Sequence, residues 1–468
     1  MPQQALACDY LVIGAGASAM AFVDTLLDES DASVVMVDER HRPGGHWNDA
    51  YPFVRLHQPS QWYGVASREL GDGARDAVGV NRGHYGLASG PQVLAYFDQV
   101  MQQRFLPSGR VRWLAKTRWE GCSDGTHKVR SLTSGDGTTI EVRRKTVDAT
   151  HIGTQIPSSH RRGFAVADGV RCVPVSELPR VERPYTAYTV VGAGKTGMDA
   201  CIWLLENGVA HERIGWIVPR DPWMMNRAQV QPGVENCEHS IGAILGQLDA
   251  IATAKDCADL FACLEAKELL LRLDPRVEPS AYRCAVVSTA ELAELRRLGE
   301  IVRLGHVKSI ERERIVLDDG SVDALADTLY VDCSAKGFAP TPKLPIFDGD
   351  RINLLAVRTC QPLFSAALIA WVESHVASDA EKNALCAVVP GPERPIDWLR
   401  MWAVNLRNMA SWRSNPELGA WTMRCRLNAV AVYMRGIPQG DPRWALLQSV
   451  GAKAAAAAAR LPALLAGA

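Results

Sequence analysis

Residues 9–19 read Asp9-Tyr10-Leu11-Val12-Ile13-Gly14-Ala15-Gly16-Ala17-Ser18-Ala19. An apolar, β-branched run is cut by two glycines and passes directly into small residues that open a helix. This is the strand, tight turn and helix start of a βαβ unit. Glycines at 14 and 16 let an anionic diphosphate approach the backbone, and the helix N-terminus beyond them offers free N–H groups and the positive end of its dipole. Ala17 and Ser18 fill the loop. Ala19 stands where only a small residue is needed, for close packing of helix on strand. The helix is expected to run to about residue 28. A second strand over 33–37 ends in Asp38, with Glu39 beside it. A carboxylate at that place accepts hydrogen bonds from an adenosine ribose and repels a 2′-phosphate, so the first site suits FAD or NAD.

The pattern occurs again. Residues 188–191 predict a strand, Gly192-Ala193-Gly194-Lys195-Thr196-Gly197 repeats the glycine spacing, and 198–206 predict a helix. The next strand, 214–218, ends near Arg220, with Arg227 close in sequence. A guanidinium here pairs with a 2′-phosphate, which favours NADPH over NADH. Each copy is interrupted before its closing strand, by a polar stretch over 121–137 and by the hairpin signal Leu317-Asp318-Asp319-Gly320. The closing strands 145–149 and 328–333 resemble each other. The expected fold is α/β, with two Rossmann-like dinucleotide-binding domains for FAD and NADP. Each carries an antiparallel β excursion, and a helical insertion and a helical C-terminus complete the chain. The FAD-binding domain takes 1–160 and 334–468, and the NADP-binding domain takes 180–333. Polar, Pro-containing crossings join them near 154–186 and 334–346. Ala, Leu and Glu at helical spacing predict the insertion over about 240–300. The Ala-rich tail from Lys453 reads as a surface helix or frayed end.

Composition sets outer limits. A chain of 468 residues exceeds what one hydrophobic core supports. A net charge of −1 supplies no basic excess for nucleic acid and no polybasic arm for a membrane. The first apolar run leads into a glycine loop rather than a cleavage site, so no signal peptide is read and a cytoplasmic location is expected. The twelve cysteines show no C-x-x-C and no zinc spacing, and are expected to be reduced and mostly buried. No metal site is predicted. Trp398, Trp402 and Trp412 fit core packing on C-terminal helices better than a substrate pocket.

The order of the first glycine loop, Gly44-Gly45-His46-Trp47, Tyr51-Pro52 and the second glycine loop resembles class B flavin-dependent monooxygenases. These are the flavin-containing and Baeyer–Villiger-like enzymes of the two-dinucleotide-binding-domain flavoproteins. The resemblance covers about 8–235 and 300–365. It implies FAD and NADPH as cofactors, with Gly45, His46, Trp47, Tyr51 and Pro52 along the flavin and Arg55 beside the nicotinamide. It also implies dioxygen and a small organic molecule as partners, with oxygen transferred by a C4a-peroxyflavin. The segment Arg55–Tyr63 gathers Arg55, His57, Gln58 and Gln61 as catalytic candidates. His57 would tune the protonation of the peroxide, because an imidazole titrates near neutrality. Gln361-Pro362 starts a late helix whose N-terminus would face the flavin pyrimidine.

The chain also departs from that pattern. Baeyer–Villiger members carry Asp where His57 stands, and their Phe-x-Gly-x-x-x-His fingerprint is absent between His160 and Thr189. An FAD-dependent NADPH reductase that inserts no oxygen therefore stays open. So does a homodimer.

Overall fold

The computed structural model describes residues 4–156, 160–338 and 340–467. Residues 157–159 of the first crossing and Ala339 of the second lie outside them. The first sheet runs, in spatial order, Phe347–Asp348, Arg351–Asn353, Gly137–Asp148, Gln4–Ile13, Val34–Val37 and Val111–Leu114. Every pairing between these strands is parallel except the edge pair of Phe347–Asp348 with Arg351–Asn353. The second sheet, Glu300–Val302, Ile214–Ile217, Ala187–Val191, Thr328–Asp332 and Arg171–Pro174, is parallel throughout. Parallel strands are covered on both faces, which is why these segments read as unbroken apolar runs. Leu11, Val12, Val190, Ile217 and Val331 are all fully buried. The antiparallel excursions lie where the sequence places them. Thr117–Ser123 and Thr126–Ser131 lead into Gly137–Asp148, and Val307–Ile310, Arg314–Leu317 and Gly320–Asp323 precede Thr328–Asp332.

The likeness of the two closing strands extends to their ends. Asp148 Oδ1 accepts from the Thr150 N–H at 2.9 Å and the Thr150 hydroxyl at 2.6 Å. Asp332 Oδ1 accepts from Ser334 in the same two ways at the same distances.

Three expectations are corrected. The 240–300 insertion is helical only in its first half, Cys237–Thr253 and Cys257–Ala266. Leu270–Leu271 and Ala281–Val287 are strands that sandwich Pro222–Asn226 in a small sheet. The Val286-Val287 end of this stretch is β-branched, and the helical composition of its neighbours masks it. The Ala-rich tail is no frayed end. It belongs to the helix Arg443–Ala466, which packs along Cys237–Thr253 and buries Val450, Ala454, Ala457, Leu461 and Leu464. Together with Pro395–Ser414 it forms a third core, distinct from those of the two sheets. Two cysteines are not reduced, since Cys284 and Cys360 form a disulfide across 76 residues of chain. Among the described residues no helix is long and apolar enough to cross a membrane, and no group of His, Cys, Asp and Glu could hold a metal ion.

Candidate cofactor and substrate site

Ligands of open α/β sheets bind beyond the carboxyl ends of the strands. Here both sheets turn those ends toward one cavity of about 2230 Å³. A pocket for one small ligand is on the order of 300–1,000 Å³, so this space exceeds what one small ligand needs. Ile13, Gly14, Gly16, Ala17, Ser18 and Asp38 line it from the first sheet. Val191, Gly192, Gly194, Lys195 and Thr196 line it from the second.

The local backbone explains the glycines. Gly14 and Gly192 have φ of +95° and +123°, a region disfavoured for residues with a Cβ. A Cβ on Gly45 would stand 2.9 Å from Gly16 Cα, so the first loop and the Gly44-Gly45 turn meet backbone to backbone. A Cβ on Gly197 would fall 2.1 Å from the Gly192 carbonyl oxygen. Gly197 and Ala19 do not line the cavity; both are buried where helix meets strand. Asp38 ends its strand buried, accepting from the Ala15 N–H at 2.7 Å and the Arg40 N–H at 2.8 Å. It braces the glycine loop and still borders the cavity. Glu39 also borders the cavity and pairs with Arg118, 2.9 Å away.

The segment that follows forms the floor between the two loops. His46 stacks on Trp47, and burial, with Arg40 nearby, lowers its pKa to about 4. The Trp47 indole donates to the Tyr63 hydroxyl at 2.6 Å. Tyr51 reaches across to the second glycine helix, where its hydroxyl donates to Asp199 Oδ2 at 2.6 Å. Burial and that carboxylate hold the Tyr51 pKa well up. Pro52 is exposed and does not line the cavity. Arg55, on the cavity wall, is largely exposed, with one guanidinium nitrogen 3.4 Å from the Leu87 carbonyl.

Behind His57 lies a cluster of buried charges. Lys195 pairs with Asp199 and, at 3.1 Å, with Glu291. Arg227, with no exposed surface, meets Glu291 at 2.5 Å and donates to the His57 carbonyl at 3.0 Å. Burial works against the Glu291 carboxylate, but Lys195 and Arg227 outweigh it and bring its pKa to about 2. Burial likewise pulls the Lys195 pKa down, and Asp199 and Glu291 overcome it, so the ammonium stays charged.

Three site expectations change as a result. The Lys195 ammonium is engaged by two carboxylates rather than free in the loop. Arg227 is buried in an ion pair and is not a 2′-phosphate ligand. His57 is not near neutrality: burial, then Lys195 and Arg227, lower its pKa to about 3, and its buried Nδ1 has no partner.

Of the remaining candidates, Gln58 lines the cavity, while Gln61 is buried outside it. Trp62, one residue on and one of the two aromatics of the Arg55–Tyr63 segment, lines the cavity in its place, though it was not among the catalytic candidates. Arg220 lies at the cavity wall and meets Glu393 at 3.2 Å; Arg283 shares the same carboxylate at 3.4 Å. Two guanidinium groups around one carboxylate leave net positive charge there. Arg283 carried no motif and was not foreseen. Gln361 is the N-cap of Pro362–His375, lines the cavity and has a buried Oε1 without a partner. Trp398 and Trp402 are core residues as expected, and both also border the cavity.

No protein-family model matches the chain. An uncharacterized protein of Mycobacterium tuberculosis is 48% identical over 433 residues, which is 92% of this chain and 79% of that protein. Among solved structures, a steroid monooxygenase bound to NADP is 15% identical with a TM-score of 0.49, covering 98% of this chain and 99% of that one. A cyclohexanone monooxygenase from Rhodococcus sp. Phi1 bound to NADP+ is 13% identical with a TM-score of 0.48, covering 79% of this chain and 84% of that one.

Proposed function

The chain belongs to the same family as the mycobacterial protein it matches, and we propose that it is an FAD- and NADPH-dependent oxidoreductase of the monooxygenase type. It transfers one oxygen atom from dioxygen to a small organic molecule. The observation that carries this reading is the single cavity reached by both glycine loops, with the Arg55–Trp62 segment between them. FAD fits the first loop. Gly14 and Gly16 leave the backbone open to a diphosphate, Asp38 stands by for a ribose, and Gln361 offers an unpaired carbonyl oxygen to a ring N–H. NADPH fits the second, where Gly192 and Gly194 meet the diphosphate and Arg220 and Arg283 meet the 2′-phosphate. The flavin would supply hydride acceptance and oxygen activation.

The protein's own groups then bind, orient and shield. The helix Pro362–His375 presents its positive end to the cavity. His57, neutral, is a hydrogen-bond partner rather than a proton source. Trp47, Tyr51 and Tyr63, all buried, keep water from the floor. The domain division follows the two loops, with 1–160 and 334–468 holding FAD and 180–333 holding NADPH.

The test is consumption of NADPH under isotopically labelled dioxygen with a panel of small organic molecules. One labelled oxygen atom in a product is expected. Release of all the oxygen as hydrogen peroxide, with every compound tried, would contradict the reading.

The Cys284–Cys360 disulfide favours a second reading, because both cysteines line the cavity and neither is fully buried. A reductase would pass the hydride of NADPH and one proton to that S–S bond, breaking it to two thiols. Two thiols gained per NADPH, counted without oxygen, would favour it over oxygen transfer.

A further inference from the structure

Arg358 lies in the segment between the strand Arg351–Asn353 and the late helix, and its side chain is on the cavity wall. The residue is only 9% exposed. Among the described residues no carboxylate pairs with it. The groups that act on it electrostatically are the Tyr433 hydroxyl, kept uncharged by burial, and, unfavourably, the Arg413 guanidinium. Its remaining contact is with the Trp412 ring, 5.8 Å from the guanidinium carbon to the centroid. A buried cation without a counter-charge is costly, and every other buried cation described above is paired. Burial depresses its pKa to about 10, which still leaves it charged.

A second unpartnered polar group is linked to it through Tyr433. The buried Trp62 Nε1 has no acceptor. Trp62 meets Tyr433 edge-on, ring centroids 5.5 Å apart, and Tyr433, whose hydroxyl hydrogen-bonds Ser240, connects it to Arg358. The same cavity is lined by the apolar Met401, Trp402, Leu406 and Val430, with Asn405 among them. A guanidinium without a counter-charge, on the wall of a cavity that Trp62 also borders, suits a planar anion with two oxygens on a hydrophobic body.

We propose that Arg358 and Trp62 form the substrate-anchoring site, and that the substrate class is a monocarboxylic acid with an aromatic or aliphatic body. This rests on the oxygen-transfer reading for what happens to the acid, but not for its binding. The anchor holds the carboxylate at one end of the cavity and leaves the apolar body to extend toward the reacting centre. Arg358 is a positioning residue for the chemistry.

The experiment is calorimetric titration of the holoprotein with phenylacetate and, separately, with phenylacetamide, which has the same body and no charge. Wild type is expected to bind phenylacetate, and Arg358→Gln to weaken that binding by roughly ten- to a hundredfold. Phenylacetamide is expected to bind weakly and equally to both. Trp62→Phe keeps the ring, removes the donor, and is expected to weaken phenylacetate by a smaller factor. FAD content of Arg358→Gln should equal that of wild type and its thermal midpoint should be no lower, because the substitution removes an unpaired buried charge.

Equal phenylacetate affinity in wild type and Arg358→Gln would overturn the proposal, as would failure of phenylacetate to bind at all. Loss of bound FAD in Arg358→Gln would overturn it in favour of a cofactor role. A protein that purifies without FAD defeats the oxygen-transfer reading but leaves the carboxylate titration interpretable.

Discussion

Burial and two neighbouring cations press the His57 pKa to about 3, far below its usual 6.5. Between those values the unfolded chain binds a proton that the folded chain refuses. Folding stability therefore falls as pH drops from about 6.5 toward 3. At about pH 5 the loss is between about 1 and 2 kcal/mol, the lower figure applying because His57 borders the cavity and water screens it. Glu291, with its pKa at about 2, adds a separate loss that begins only as pH falls below its usual 4.5. Replacing His57 by Gln removes the first contribution and leaves the second. The thermal midpoint of that variant is expected to fall less than that of wild type between about pH 7 and pH 5, as differential scanning calorimetry will read. Equal falls would place His57 in a far wetter setting than the structure gives it. The resemblance leads one to expect His57 near the flavin. It cannot show the neutral state, because Lys195, Arg227 and Glu291 arrive from the second half of the fold. Arg358 is a similar case: nothing local marks an arginine as lacking a partner.

Glycines divide by element into those that shape the chain and those that admit a ligand. Gly197 belongs to the first group, since its missing Cβ is what lets the second glycine helix sit on the Gly192 carbonyl. Gly194 belongs to the second, with nothing within 4 Å of a Cβ placed there. Gly197→Ala is expected to lower the thermal midpoint sharply or abolish soluble expression. Gly194→Ala is expected to keep the wild-type midpoint while weakening NADPH by an order of magnitude or more, read by fluorescence titration. The reverse pattern would mean the loop does not cradle the diphosphate. This element was the most legible part of the sequence, because a strand, turn and helix are encoded within a dozen consecutive residues. The 240–300 stretch and the C-terminal helix were less so. Val286 and Val287 pair as a strand only because Pro222–Asn226 lies beside them. Ala454 and Ala457 look alike whether they face solvent or a helix, and only the packing of Arg443–Ala466 on Cys237–Thr253 buries them.

At the scale of the whole molecule, two parallel sheets with glycine loops open on one cavity, which the proposed function makes a single redox site. The Tyr51 hydroxyl on Asp199 and the Lys195–Glu291–Arg227 cluster tie the cavity floor of the first half to the second sheet. The doubling of the glycine motif announced both sheets. The third core, the Cys284–Cys360 bridge and the Arg358 wall were not legible, since each joins segments far apart in the chain that no local pattern relates. The most direct test of the account is anaerobic mixing of the FAD-loaded protein with NADPH, or with NADH, while the oxidised flavin absorbance is followed. The account predicts bleaching by NADPH, much slower bleaching by NADH, and loss of that preference in Arg220→Ala. Bound flavin that NADPH leaves fully oxidised would contradict it, because the two glycine loops would then not serve one electron path.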